Sequence, residues 1–301
     1  MSLYIPTWYY LQYNQNIVHL SQQRQTRLRE AVMSGSHSGK QASPVDQIGV
    51  VEMQDVTTRF SPMNRVDAPT DRRWVAPLDA DLPQLIDSFD KLKLLTDPNS
   101  AYVQNAVAAA NRKFDDRIGA AFFAAAATGE VGGTSTAFDT TNQVVSVNIG
   151  GTASGLNVAK LERARRILLA NETGSDNEPI YCAIRAEDHE KLMAEIQILS
   201  LDFNNGVQYD ENGIIKSWRG FRFIHSERSW ITTKATDDAA GSSAQLPCWV
   251  KSGMYLGVWN EIETSIDVRA DLQGRPWQAY TKMSANATRL EEKKVVKIWA
   301  R

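Results

Sequence analysis

The sequence predicts an α+β fold, and three observations carry that reading. Residues 97 to 129, DPNSAYVQNAVAAANRKFDDRIGAAFFAAAATG, keep one helical pattern for about thirty residues. Residues 156 to 199 pass from helix to strand and back to helix, and the chain from residue 245 onward is rich in strand-forming residues.

Taken in order, residues 1 to 45 read as an arm with little core of its own. It begins with aromatics, passes through LSQQRQTRLREAV, which suits a short helix at 20 to 32, and ends in the turn-rich SGSHSGKQASP. Arg24, Arg27, Arg29 and Lys40 face only Glu30 there, a local positive excess that a solvated helix face explains as well as an anionic partner does. Next, IGVVEMQDVTTR (48 to 59) and RRWVAPLD (72 to 79) read as the two strands of a long hairpin. A two-stranded ribbon is marginal in water unless another surface covers it, so this one is expected to lean on something outside its own domain.

The long helix has signals at both ends: Asp97 as its cap, Pro98 at its first position and Gly129 for the left-handed turn after it. Val103, Val107, Ala110, Phe114, Ile118, Ala121, Phe122 and Ala125 line one face. At about 1.5 Å per residue it would span roughly 45 Å, a strut across a whole domain. Residues 129 to 155 are rich in Gly, Thr and Ser around one short strand. LNVAKLERARRILLANE (156 to 172) is helical, PIYCAIR (179 to 185) a buried strand, and AEDHEKLMAEIQIL (186 to 199) helical again.

Composition excludes several classes of function. With 301 residues, 43% hydrophobic and 23% charged, the chain can fill a sizeable core, and no segment suits a membrane span. A net charge of -2 gives no general attraction to nucleic acid, so any DNA contact would be local or imposed by packaging. Cys182 and Cys248 are too few for a disulfide framework, and the N-terminal residues lack the pattern of a signal peptide.

Catalytic, cofactor and metal sites are expected to be absent. Gly35 to Gln41 is one spacer short of a phosphate loop, and His19, His37, His189 and His225 are scattered. Asp79, Asp81, Asp87 and Asp90 are dense enough to seat magnesium or form an acid/base pair, but turn formation and capping account for them more simply.

This order of parts resembles the major capsid proteins of tailed bacteriophages, the Hong Kong 97-type fold. The resemblance covers nearly the whole chain. It is carried by HLSQQRQTRLREAV, DSFDKLKLLTDPNSAYVQ, NRKFDDRIGAAFF, KLERARRILLANE, SLDFNNGVQYDENGIIKSWRGFRFIHSE and the closing SANATRLEEKKVVKIWA, where Asn286 stands in place of the usual glycine.

The resemblance implies an N-terminal arm at 1–45 and an E-loop hairpin at 46–85 lying across a neighbouring subunit. It further implies a peripheral (P) domain at 86–177 with a spine helix at 98–128, an axial (A) domain at 178–262, and a return to the peripheral domain at 263–301. The implied function is a major capsid protein assembling with itself into pentamers and hexamers around double-stranded DNA. Scaffolding and portal proteins and a decoration protein would be its partners, and it would be found in the virion, with the host cytoplasm as the place of assembly. Arg72, Arg73 and Trp74 on the hairpin are candidates for intersubunit contact, as are Glu291, Glu292, Lys293 and Lys294. Two rival readings share parts of this description: an encapsulin-like compartment shell on the same fold, and an α/β hydrolytic enzyme whose pocket would unite Asp79 or Asp81 with a histidine.

Overall fold

The computed structural model describes residues 21–39, 43–56, 58–59, 63, 65–86, 99–173, 178–195, 198, 207–236 and 241–301. The first half of the chain forms β1 (Met33–Ser36), β2 (Ser43–Ile48), β3 (Thr70–Val75), β4 (Asp79–Ile86), α1 (Asn99–Ala121), β5 (Ala126–Thr128), β6 (Thr134–Thr136) and β7 (Val144–Val145). The second half forms α2 (Val158–Ala170), β8 (Ile180–Ile184), α3 (Ala186–Met193), β9 (Gln208–Tyr209), β10 (Ile215–Trp218), β11 (Phe221–His225), α4 (Ser229–Thr232) and β12 (Ala235–Thr236). Three long strands and a short one then complete it: β13 (Ser242–Val250), β14 (Met254–Val268), β15 (Trp277–Arg289) and β16 (Val295–Ala300). Helix and strand are thus mixed, as expected.

Two compact units divide the chain. One comprises Met1–Thr26, Leu78–Phe114 and Asn260–Ser284; the other comprises Arg27–Pro77, Asp115–Trp259 and Ala285–Arg301. In the first, β4 runs antiparallel to β15 from Asp79↔Ser284 to Trp277↔Ile86, and β15 pairs in turn with β14. Opposite charges and hydroxyls meet across those last two strands: Lys282 with Glu263 at 3.1 Å and Thr264 with Thr281 at 3.0 Å. Residues 22–24 lie along α1, where Asn111 donates to the Arg24 carbonyl and Arg112 to Gln22 and Gln23.

The core of the second unit is a sheet in the order β7-β16-β13-β8-β11-β10-β9, with β12 on β13. Its middle strands are buried on both faces and read as continuous apolar runs: Leu246, Cys248, Trp249 and Val250 on β13, Val295, Val296 and Ile298 on β16, Cys182, Ala183 and Ile184 on β8. Helix α2 packs on β16 and β7. Asn157 caps it by accepting the Lys160 amide at 2.9 Å, and Val158, Leu161, Ala164 and Leu168 form its buried stripe at three- and four-residue spacing. Lys160 is buried too, its ammonium donating to the Ser154 and Trp299 carbonyls.

Three local expectations need correction. Among the described residues 21–32, the helix expected over 20–32 is only a single 3-10 turn at Arg29–Ala31. Arg27 and Leu28 instead give their amides to the buried Asp115 carboxylate at 2.9 and 3.1 Å, so an outside acceptor replaces the helical one. The first hairpin strand is β2, which pairs with β3 from Ser43↔Val75 to Ile48↔Thr70, so residues 49–56 are loop rather than strand.

The strut helix ends at Ala121, not 128, although its alanines favour helix. Two tertiary contacts outweigh that preference. Ala126–Thr128 pairs with β3 and β6, and the fully buried Arg289 donates to the carbonyls of Phe122 and Ala124, both at 2.9 Å, a cationic cap on the helix end. The cap expected at Asp97 and Pro98 lies outside the described residues.

Strand β7 and helix α2 precede residue 178 and β16 follows residue 262, and all belong with β8, β11 and β13.

Candidate intersubunit surface

Strands β2 and β3 join β5 and β6 in a four-stranded sheet ordered β2-β3-β5-β6. The base of the hairpin is fixed firmly to its own unit. Arg73 is only 5% exposed, and its guanidinium donates to the Leu290 carbonyl at 2.8 Å, Thr136 Oγ1 at 3.3 Å and Glu292 Oε2 at 3.0 Å. Asp71 stands 3.2 Å from the same group. The Leu290 carbonyl also accepts Gln47 Nε2 at 2.7 Å. A buried guanidinium is tolerable only when paired in this way.

Two groups nominated separately from the sequence therefore meet, Arg73 from the hairpin and Glu292 from the closing turn. Glu292 also faces Arg289 at 3.5 Å. Burial lowers the pKa of Arg289, and Glu292 works against that shift. The remaining nominees are less enclosed. Arg72 pairs with Asp46 at 2.5 Å and lies 5.9 Å from the Trp74 ring centre. Trp74 is half-buried over Gly132, whose φ of 74° and close approach to the indole both call for glycine, and its Nε1 donates to the Gly129 carbonyl at 2.7 Å. Glu291 pairs with Lys294 at 3.2 Å, and Lys293 is exposed.

The feature not nominated residue by residue is the end of β2 and the loop that follows it. Ile48, Val50, Met53, Val56 and Met63 are 80%, 89%, 101%, 85% and 96% exposed, with Val51 and Val66 about half so. Single exposed apolar residues are ordinary; seven between Ile48 and Val66 mark a surface suited to being covered. Its signal in the sequence was IGVVEMQDV itself, apolar residues in a stretch that the polar turn residues of an ordinary loop do not occupy.

The acidic residues considered for catalysis are placed simply. Asp79 and Asp81 are exposed on β4, where Asp81 faces Lys282 across the sheet. His37, His189 and His225 belong to the other unit, while His19, Asp87 and Asp90 lie outside the described residues. Gly35 lies in β1 rather than in a phosphate loop. Among the described residues no group of three or more His, Cys, Asp or Glu is placed to hold a metal, and no helix is long and apolar enough to cross a membrane.

A sequence model of a phage capsid protein family matches residues 5–300 of the chain. Among solved structures, the chain is similar to the capsid of the cyanophage P-SCSP1u, with a TM-score of 0.73 at 12% identity over 97% of this chain and 93% of that one. It is similar to the head protein of the Helicobacter pylori bacteriophage KHP40, with a TM-score of 0.70 at 11% identity over 96% and 95%. The capsid of Ralstonia phage GP4 gives 0.66 at 10% identity over 100% and 98%. At such identities the likeness concerns the fold. No curated protein matches the chain.

Proposed function

We infer the function from one premise: the chain belongs to the phage capsid protein family. It is the major capsid protein of an icosahedral phage head, with the Hong Kong 97-type fold and a structural role in the virion. The mechanism we propose is assembly: subunits close into pentamers and hexamers through heterologous contacts and tile a shell around double-stranded DNA, with which contact is non-specific. Assembly takes place in the host cytoplasm, with scaffolding and portal proteins as partners and a decoration protein as a further one.

The exposed apolar loop at 48–66 carries this reading. A subunit that worked alone would keep that surface in water for no return, whereas a shell subunit covers it on a neighbour. The pinned base supports the same view. Arg73, Glu292 and Gln47 hold the root of the hairpin to its own unit, so they act as foundations, while Arg72, Trp74, Glu291, Lys293 and Lys294 remain the residues that meet another copy. The eight-stranded sheet, including β7 and β16 and with α2 packed on it, forms the core of the axial domain in this reading. The unit containing β4 and the larger parts of α1, β14 and β15 is peripheral.

Electron microscopy of the purified protein, alone and with its scaffolding partner, tests the proposal. Closed particles of uniform diameter are expected. Subunits that stay monomeric at high concentration under both conditions would sink it.

A further inference from the structure

Beside α2 lies a depression of about 610 Å³, bounded by the loop that follows β7. Apolar Val144, Ile149 and Ala159 line it together with Arg163 and Arg166. Glu162 is the one carboxylate there, and it is taken by Arg219 at 2.8 Å. Among the described residues, Arg163 and Arg166 have no carboxylate partner. The groove therefore combines an apolar lining with two arginines that lack a carboxylate partner, in a chain that is slightly acidic overall.

The uncovered loop has the opposite character. Residues 50–56, VVEMQDV, expose Val50, Met53 and Val56 together with Glu52 and Asp55, and neither carboxylate is ion-paired among the described residues. We propose that this acidic, apolar stretch of one copy seats in the α2 groove of an adjoining copy, with Glu52 and Asp55 meeting Arg163 and Arg166 while the valines and Met53 cover Val144, Ile149 and Ala159. The inference rests on the shell reading and adds the receptor that reading lacks. Two carboxylates and two unpaired guanidiniums match in number and sign, and each surface supplies the apolar cover that the other needs. A bare phosphate backbone would satisfy the guanidiniums but leave the apolar lining and the loop both wet.

Charge reversal tests it. R163E/R166E and E52R/D55R are each expected to fold normally, because none of the four side chains is buried, and to lose about tenfold or more in shell yield. Combining all four reversals in one chain restores the attraction and should restore shells. Mixing the single variants D55C and A159C, with Cys182 and Cys248 buried, should give a heterodimer on mild oxidation by a small disulfide. Either reversal assembling like the unmodified chain, a combined chain no better than its parents, or no heterodimer would each overturn the proposal. So would reversals that leave shells intact but strip duplex DNA from them, since the groove would then face the genome. An unmodified protein that forms no shells would instead count against the function itself.

Discussion

Valine and isoleucine serve opposite ends in the eight-stranded sheet and in the segment at 48–66. On β13 and β16 they are sealed: Val250, Val295, Val296 and Ile298 touch no water. On the loop the same residue types stand almost wholly free, above a base held by Arg73 and Glu292. Residue type alone therefore does not say where the core is. The difference is that the sheet finds its neighbours within the chain, while the loop has only its foundation there, which makes subunit stability and assembly separable properties.

That separation can be broken or sharpened by substitution. The largest effect is expected at the joint under the hairpin. Arg289→Met leaves the carbonyls of Phe122 and Ala124 without their donor in a buried setting and should cost roughly 3–5 kcal/mol, read by urea unfolding. Within the sheet, Leu246→Ala should cost about 2–5 kcal/mol. The paired change V50S/M53S should move subunit stability by no more than about 0.5 kcal/mol and yet abolish shells, scored by light scattering. If it unfolded the subunit as Leu246→Ala does, the two regions would not differ as argued.

A smaller loss, about 1 kcal/mol, is expected for Asn157→Ala, which removes the cap of α2. The smallest concerns acidity. Burial lowers the pKa of His225, with Arg27 and His189 acting the same way and Glu227 against them. Its neutral ring is the folded form, with Arg27 Nη1 3.2 Å from Nδ1. The stability it contributes is complete above the ordinary value of 6.5 and declines as pH falls from there through the lowered folded pKa. His225→Gln should flatten that part of the stability curve, measured by thermal unfolding between pH 7.5 and pH 5.

How much of this was readable beforehand depended on whether the cause was local. Helix α2 and strand β8 were clear because their patterns and caps lie within their own residues: Asn157 beside its helix, IYCAI as one apolar run. The end of α1 was not, since its stopper is Arg289, more than half the chain away, while the alanines after Phe122 favour helix. The arm's missing helix has the same explanation, because Asp115 supplies the acceptor from outside. Arg73 and Glu292 were each picked out as contact residues, but that they would meet one another depends on a turn at 290–294 that neither segment specifies. The groove beside α2 was hidden because its lining comes from two stretches separated by a glycine-rich loop.

Arg289 also sets a timetable. Ribosomes deliver it 165 residues after the nearer of the two carbonyls it serves, so the end of the helix gains this donor only once the strands between them have been made. The root of the hairpin waits in the same way, because Leu290 and Glu292 follow Arg73 by 217 and 219 residues.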